Sequence, residues 1–228
     1  MTERETPSPS RSRRSELEEL EDLEDLDARD DHLIAEVDRV MARAAEEAGD
    51  RWSCGPGRID CCIGPFPIAA LDARRLARGL EALRREDPER ARALERRAEQ
   101  AVELLREDFP GDPETGVLAE DADELLDACD WHEHLPCPVL DPGTGRCELY
   151  RRRPLVCRTF GPPLRVGGEG WIACPHCVAG RLERVELDQE DRFGALSAEI
   201  ERATGVSGST FVAFAVTGAV RDRDRGSS

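Results

Sequence analysis

The apolar positions near the N-terminal end of the chain follow a helical period. Leucines recur at every third residue from Leu17 onward, and apolar residues continue less regularly as far as Met41. Ser15 and Glu18 form a Ser-x-x-Glu capping box, which predicts that the helix begins there. Residues 1–14 are polar and rich in proline and serine, so we expect them to be disordered.

Two further helical stripes follow in the middle of the chain. The first covers residues 76–83 behind Asp72, and aspartate is a favoured residue at a helix N-terminus. The second covers residues 94–105 behind Asp87 and Pro88, and proline is favoured in the first turn of a helix. The pattern predicts two helices that pack together as an antiparallel hairpin.

The character of the chain changes in the segment 131–180, where seven prolines exclude long helices. The short segments 164–166 and 171–173 flank a glycine-rich turn and predict a small β-hairpin. A helix is expected over 189–203. The apolar run 211–220 is too short for a membrane span, so we expect a buried strand or helix there.

Together these elements predict a mainly helical fold with a proline- and glycine-rich, irregular cysteine-cluster metal lobe and a small β-hairpin. This is an α+β fold with little strand. A short helix over 118–129 is expected before the lobe. The chain divides into an acidic N-terminal segment (1–49), a cysteine-cluster domain (50–180), and a C-terminal helix and apolar segment that pack on it (181–228).

The chain of 228 residues has a formal net charge of −17, which narrows the partners it can have. A chain this acidic repels phosphate, so we expect no nucleic-acid partner. No apolar run approaches the ~20 residues of a membrane span, so no membrane partner is expected. The N-terminal end has no apolar leader, and we therefore expect a cytoplasmic protein.

Nine cysteines are the most informative part of the composition. A reducing cytoplasm disfavours disulfides, so a cysteine-rich chain there indicates metal or redox chemistry. Clustered thiolates select zinc, iron–sulfur clusters or Cu(I). Cys129 follows leucines at helical spacing and is expected in the core. The other eight lie in or beside glycine- and proline-rich loops and are the candidate metal ligands: Cys54, Cys61, Cys62, Cys137, Cys147, Cys157, Cys174 and Cys177.

Four short motifs place these cysteines in a recognisable order. They are Cys61-Cys62, Cys137-Pro138-Val-Leu140, Cys147-Glu-Leu-Tyr150 and Arg153-Pro154-Leu-Val-Cys157-Arg158-Thr-Phe160. Their order and gaps resemble the YkgJ-type cysteine-cluster family, whose module is described as a zinc- or iron-chelating domain. The resemblance covers about residues 51–177. It implies that the chain binds zinc or iron, the latter as an ion or as a [4Fe–4S] cluster.

The chain departs from the family pattern in its first motif. The family usually has a further cysteine between Cys54 and the Cys61-Cys62 pair, and none is present here. Cys174 and Cys177 could supply the thiolate that the first motif lacks. Eight clustered cysteines could fill two four-ligand sites, or one site with spare thiols, and the sequence leaves both open.

Two catalytic alternatives follow from the same cysteines. The module also resembles the cysteine-rich part of flagellin lysine methylases, which implies a metal-assisted protein-modifying enzyme, although no glycine-rich methyl-donor loop is recognisable. The segment from Cys174 to Cys177 has the Cys-Pro-His-Cys form of thioredoxin-like oxidases. That motif needs a βαβ frame, which the remaining residues do not indicate.

The acidic N-terminal segment has no metal-binding signature of its own. Residues 1–50 carry 17 acidic and 7 basic side chains and no cysteine. The favoured interpretation is a solvated helix or acidic tail, and the alternative is an arm that binds a basic protein partner. We expect this segment to be dispensable for metal binding.

Overall fold

The computed structural model shows a mainly helical protein, as the sequence predicts. It describes residues 9–52, 54–55, 58–119, 127, 129–166, 169–171, 174, 177, 185–187, 190–205 and 208–218. The helices within these residues are α1 (Pro9–Ala48), α2 (Ala70–Glu86), α3 (Pro88–Leu105), α4 (Leu155–Thr159), α5 (Glu190–Thr204) and α6 (212–218), and residues 127 and 129–131 are also helical. Short 3-10 turns cover Gly49–Arg51, Asp60–Cys62 and Tyr150–Arg152.

The strands are short and form small separate sheets. They are β1 (Pro67–Ala69), β2 (Gly111–Asp112), β3 (Val117–Leu118), β4 (Leu140–Asp141), β5 (Arg146–Cys147), β6 (Leu164–Val166), β7 (Glu169–Trp171), β8 (Val185–Leu187) and β9 (Ser209–Phe211). Antiparallel pairs join β1 to β9, β2 to β3 and β4 to β5. The predicted hairpin is present as β6–β7, with its second strand two residues earlier than expected. A third strand, β8, pairs in parallel with β6 and was not predicted.

The helices α2 and α3 form the predicted pair and enclose the main core. Asp87 accepts a hydrogen bond from the Arg90 N–H (3.1 Å), and Pro88 is the first residue of α3, as the sequence predicts. Leu80 and Leu94 are fully buried between the two helices, and Val216 of α6 packs against the same cluster. Cys137 and Cys147 pack against this core, which supports their segments.

The start of α2 differs from the prediction. Asp72 was expected to cap the helix, but α2 begins at Ala70, directly after strand β1, and no side chain caps it. The strand already holds Ala69 in an extended conformation, so the chain turns into the helix without a capping side chain. Asp72 is instead buried and accepts hydrogen bonds from Arg75 and from the Leu155 backbone N–H (2.9 Å).

Helix α1 begins earlier than its capping box predicts. It starts at Pro9, a residue suited to the first turn of a helix, and so residues 9–14 are helical rather than disordered. The other residues of the expected disordered tail, 1–8, lie outside the described residues.

The interpretation of the N-terminal segment as a solvated helix or tail is wrong for residues 26–41. Leu33 and Val37 are buried on one face of α1, where they pack against apolar side chains of α5 and β8. The acidic side chains of α1 lie next to arginines from distant parts of the chain, including Arg75 and Arg158. Local charge counts miss this neutralisation because the paired residues are far apart in the sequence.

Two other expectations are resolved only in part. Leu118 lies in β3 rather than in a helix, and most of the helix expected over 118–129 lies outside the described residues. The apolar run after residue 211 begins at the end of β9 and continues as the buried helix α6. Within the part of the chain that the structure describes, no helix is both long enough and apolar enough to cross a membrane.

The packing of α1 leads to a stability prediction. Leu33 is 2% exposed, and Leu33→Ala should lower the free energy of unfolding by about 2–5 kcal/mol, because it removes buried apolar surface and leaves a cavity. Leu104→Ala is the control, since Leu104 is 59% exposed and its truncation should have little effect. Urea denaturation of the two variants measures the difference. Equal stability of both would mean that α1 does not pack on the domain.

Candidate metal centre

The first cysteine pair is held beside the segment that carries Cys137. The Cys137 N–H donates to the Cys62 carbonyl (2.7 Å), and the Gly64 N–H donates to the Leu135 carbonyl (2.8 Å). An isolated antiparallel bridge joins Ile63 to Pro136 between them. These contacts place the turn Asp60–Cys62 next to Cys137, although 75 residues separate the two cysteines in the chain.

A tight hairpin carries Cys147 back toward Cys137. In the β4–β5 pair Cys147 lies opposite Leu140, three residues after Cys137. The Asp141 carboxylate fixes the connecting turn by accepting from the Gly143 N–H (3.1 Å) and from the Thr144 hydroxyl (2.5 Å). Gly145 completes the turn with φ 64°, a left-handed conformation that favours glycine.

Cys157 lies on the short helix α4, whose two ends are tied to the helical part of the protein. At its beginning the Leu155 N–H donates to Asp72 of α2 (2.9 Å). Near its end the buried Arg158 pairs with Asp38 of α1 and donates to the carbonyls of Arg151 (2.6 Å) and Arg153 (3.2 Å). The position of Cys157 therefore depends on α1 and α2 as well as on its own loop.

The neighbouring cysteines of the pair interact directly. The Cys62 thiol donates a hydrogen bond to Cys61, which lowers the pKa of Cys61 to about 6 against the opposing effect of burial. The same hydrogen bond, with burial next in importance, raises the pKa of Cys62 far above its ordinary value. One thiolate of the pair is thus favoured by the thiol beside it.

Burial has the largest effect on the pKa of the other three thiols of this region, Cys137, Cys147 and Cys157. Backbone amides oppose this effect at Cys137 and Cys147. Burial raises the pKa of Cys137 to about 12, while the backbone N–H groups of Val139 and Leu140 bond to its sulfur and favour its thiolate. Burial likewise raises the pKa of Cys147, and the Leu149 N–H bonds to its sulfur.

The thiol of Cys157 is affected by its neighbours as well as by burial. Burial raises its pKa well above the ordinary value, and the nearby thiolates of Cys137, Cys147 and Cys61 add to the rise. The five cysteines that interact in this way, here called the central group, are Cys61, Cys62, Cys137, Cys147 and Cys157.

Two arginines of the fourth cysteine motif, Arg153 and Arg158, lie close enough to act on this group. The charges of Arg153 and Arg158 lower the pKa of Cys147 against its burial, and Arg153 also lowers that of Cys61. Arg152 is engaged elsewhere, in an ion pair with Asp31 of α1, and Arg151 is exposed.

The remaining three candidates form a second group at the edge of the first. The Cys54 and Cys177 sulfurs are 3.2 Å apart, and the Cys177 N–H donates to the Cys174 carbonyl (2.9 Å). Cys174 is anchored in turn by its own N–H, which donates to the Gly161 carbonyl (3.0 Å). Burial and the Cys177 thiol raise the pKa of Cys54 to about 12, with a smaller effect from Cys61. We call Cys54, Cys174 and Cys177 the outer group.

Gly161 is required where the outer group meets the rest of the lobe. A Cβ atom at position 161 would lie 2.6 Å from the Cys54 sulfur and 3.9 Å from that of Cys177. Any side chain there would displace Cys54. The sequence shows the glycine, but only the structure shows the sulfur that needs the space.

The structure thus gathers the eight predicted cysteines into neighbouring groups of five and three. Among the residues it describes, no three Cys, His, Asp or Glu side chains stand close enough to hold one metal ion without moving. Cys129 lies apart from both groups and packs against the core cluster around Phe109 and Phe214, as predicted. His132, five residues before Cys137, does not join either group, and its Nε2 lies 3.6 Å from the Asp108 carboxylate.

The sequence analysis did not identify the charged residues of α1 and α2 that hold the segment of Cys157 in place. Arg75 and Asp72 have the i, i+3 spacing of a helical ion pair, and this signal could have identified them. Asp30 and Asp38 gave no such signal, because Arg75 and Arg158, with which they pair, are 45 and 120 residues away.

The thiol environments predict how metal-free protein responds to pH. An exposed thiol has a pKa of about 8.5, and burial or a neighbouring thiol raises this value in the folded protein for Cys54, Cys62, Cys137, Cys147 and Cys157. Above pH 8.5 the unfolded chain therefore loses protons first, and the free energy of unfolding should fall as the pH rises toward 12. The lowered pKa of Cys61 acts on the acid side, where its contribution is lost as the pH falls through about 6.

Urea denaturation of chelator-treated protein between pH 7 and pH 10 measures this effect. The Cys157→Ser variant should show a smaller alkaline loss, because it removes one of the raised groups. A free energy of unfolding that stays level or rises from pH 8.5 to pH 10 would contradict the assignment.

Comparison with known proteins places these cysteines in a family. Residues 53–177 match the family CxxCxxCC, described as “Putative zinc- or iron-chelating domain”. No curated protein and no solved structure is significantly similar to the chain. The matched residues are more than half of the 228 and include both cysteine groups, while α1 and α5 lie outside them. The chain therefore belongs to the CxxCxxCC family of zinc- or iron-chelating domains.

Proposed function

We propose that this protein binds zinc or an iron–sulfur cluster through the thiolates of its clustered cysteines. The observation that carries the proposal is the convergence of cysteine segments that lie far apart in the sequence. The Cys137 N–H donates to the Cys62 carbonyl (2.7 Å), and Cys147 lies opposite Leu140 in the β4–β5 pair. Several thiols gathered on turns in one region suit a metal that takes thiolate ligands.

The electrostatics of the metal-free centre support the same function. Neighbouring thiolates repel one another, and burial penalises each of them, so most of these sulfurs are protonated without a cation. A divalent ion or a cluster replaces the protons and balances the charge, and Arg153 and Arg158 contribute further positive charge nearby. Binding therefore releases protons, and the thiol side chains close in on the metal as it enters.

We assign four ligands of the main site within the central group. They are Cys137, Cys147, Cys157 and one thiolate of the adjacent pair Cys61 and Cys62, whose other thiol supports it. Four thiolates suit both tetrahedral zinc and a [4Fe–4S] cluster. In this arrangement the outer group holds a second metal or lies beside the first metal site.

The metal content of the purified protein and of two cysteine variants tests the proposal. Anaerobically purified wild-type protein should contain stoichiometric zinc and be colourless, or contain iron and sulfide and be brown. Cys157→Ser should lose most of the metal, since it removes a ligand. Cys129→Ser is the matched control and should retain it, with only a loss of about 1–3 kcal/mol in stability.

Wild-type protein that binds neither zinc nor iron, after reconstitution with each, would refute the proposal. Equal metal content in the Cys157→Ser and Cys129→Ser variants would show that the central group is not the site. The enzyme of the flagellin lysine methylase type, the cytoplasmic location and the absence of a nucleic-acid partner stay predictions from the sequence.

A further inference from the structure

Helix α1 lies outside the family-matched residues 53–177, yet it contacts the residues that hold the central group. Its aspartates supply negative charge to arginines of three other segments. The pairs are Asp30 with Arg75, Asp31 with Arg78 and Arg152, and Asp38 with Arg158. These contacts differ from ordinary surface ion pairs because several of the partners are buried.

Two sets of hydrogen bonds connect α1 to the segment of Cys157. The first set, called here the first path, runs through the interior of the protein. Asp30 and Arg75 are each 1% exposed, and two hydrogen bonds join them. Arg75 also donates to Asp72, whose same carboxylate oxygen accepts the Leu155 N–H at the beginning of α4. A continuous chain of hydrogen bonds thus leads from α1 to the helix that carries Cys157.

The second path reaches the other side of the same cysteine. Arg158 directly follows Cys157, and its side chain is 3% exposed. Its guanidinium bonds to both oxygens of Asp38 (2.6 and 2.5 Å), and through the Arg151 and Arg153 carbonyls it fixes the segment before α4. Asp38 therefore anchors both the residue after Cys157 and the backbone that leads into it.

Burial makes these two paths sensitive to the position of α1. If α1 moves away, Arg75 keeps a single carboxylate partner, and Arg158 keeps only carbonyl partners for a buried charge. An uncompensated buried charge is strongly unfavourable, so the arginines and the backbone they hold must rearrange with the helix. Binding of α1 and the placement of Cys157 are in this way energetically coupled.

We propose that α1 is a positioning element of the metal centre, and that Asp30 and Asp38 couple its docking to metal affinity. The inference rests on the proposed function and goes beyond the family's own module, which does not include this helix. It also reverses our expectation that the N-terminal segment is dispensable for metal binding. Because coupling between two equilibria is reciprocal, metal binding should in turn hold α1 on the domain.

The test uses the full chain, with Zn²⁺ and Co²⁺ as probes. Zn²⁺ affinity is measured by competition with a chromophoric chelator for wild-type, Asp38→Asn and Asp30→Asn proteins. Asp25→Asn is the matched control, since it makes the same change of charge on the same helix at a side chain that is 70% exposed. Asp38→Glu tests rescue, because it restores a carboxylate that can reach Arg158.

We expect Asp38→Asn and Asp30→Asn to weaken Zn²⁺ binding by about 10–100-fold, the usual effect of removing a residue that orients a metal ligand. Their Co²⁺ complexes should show a weaker thiolate charge-transfer band while the far-ultraviolet circular dichroism is unchanged. Asp25→Asn should match wild type, and Asp38→Glu should recover most of the affinity. Equal affinity of Asp38→Asn and wild type would overturn the inference.

Hydrogen exchange of the wild-type protein gives a second test that needs no variant. Amides of α1 in residues 26–41 should exchange more slowly with Zn²⁺ than after chelation. Unchanged exchange of these amides on Zn²⁺ binding would overturn the inference even if a variant fails to fold. Wild-type protein that binds no metal would instead refute the proposed function itself, so the two failures are distinguishable.

Discussion

The rest of this structure depends on one interaction, which is the mutual repulsion of neighbouring, partly buried thiolates. Within the central group, negative charge on neighbouring sulfurs raises the pKa of Cys62, Cys137 and Cys157. Without a cation, protons must neutralise most of them. Backbone amides lower the pKa of Cys137 and Cys147, and the charge of Arg153 lowers that of Cys147. Both effects favour sulfurs that carry negative charge. A bound cation would relieve this repulsion, and the family to which the chain belongs is described as a zinc- or iron-chelating domain.

The second requirement of such a centre is a rigid support, because its loops are too short to build a core. The hydrophobic core between α2 and α3 provides one side of this support. Ion pairs of two buried arginines provide the other, with Arg75 between the buried Asp30 and Asp72 and with Arg158 against the half-exposed Asp38. Buried ion pairs are costly to form but more costly to break, so they fix the relative positions of the elements that share them. The acidic composition of α1 thus has a structural use within the chain.

Much of the fold could be predicted because local signals determine it. The Asp87-Pro88 signal marks the start of α3, and the glycine-rich turn after Val166 marks the β6–β7 hairpin. The capping signals at Ser15 and Asp72 predicted the wrong first residues for two helices. Helix α1 extends beyond the capping box at Ser15, and α2 begins directly after strand β1 without a capping side chain. The motifs and loop context likewise named the eight candidate cysteines, which the structure places in the central and outer groups.

The grouping of the cysteines and the role of α1 could not be predicted in this way. Cys54 meets Cys177 across 123 residues of chain, and Arg158 meets Asp38 across 120. Such pairs depend on how distant elements pack, and no periodicity or spacing encodes them. The sequence showed a run of negative charge at the N-terminal end, but the arginines that neutralise it became apparent only in the fold.

X-ray absorption at the metal edge of the metal-loaded protein tests the central claim most directly, since it reports the ligand atoms themselves. Coordination by the clustered thiolates predicts a shell of about four sulfurs near 2.3 Å from the metal. A shell made mainly of nitrogen and oxygen atoms near 2.0–2.1 Å would contradict it, because the cysteines would then not be the ligands.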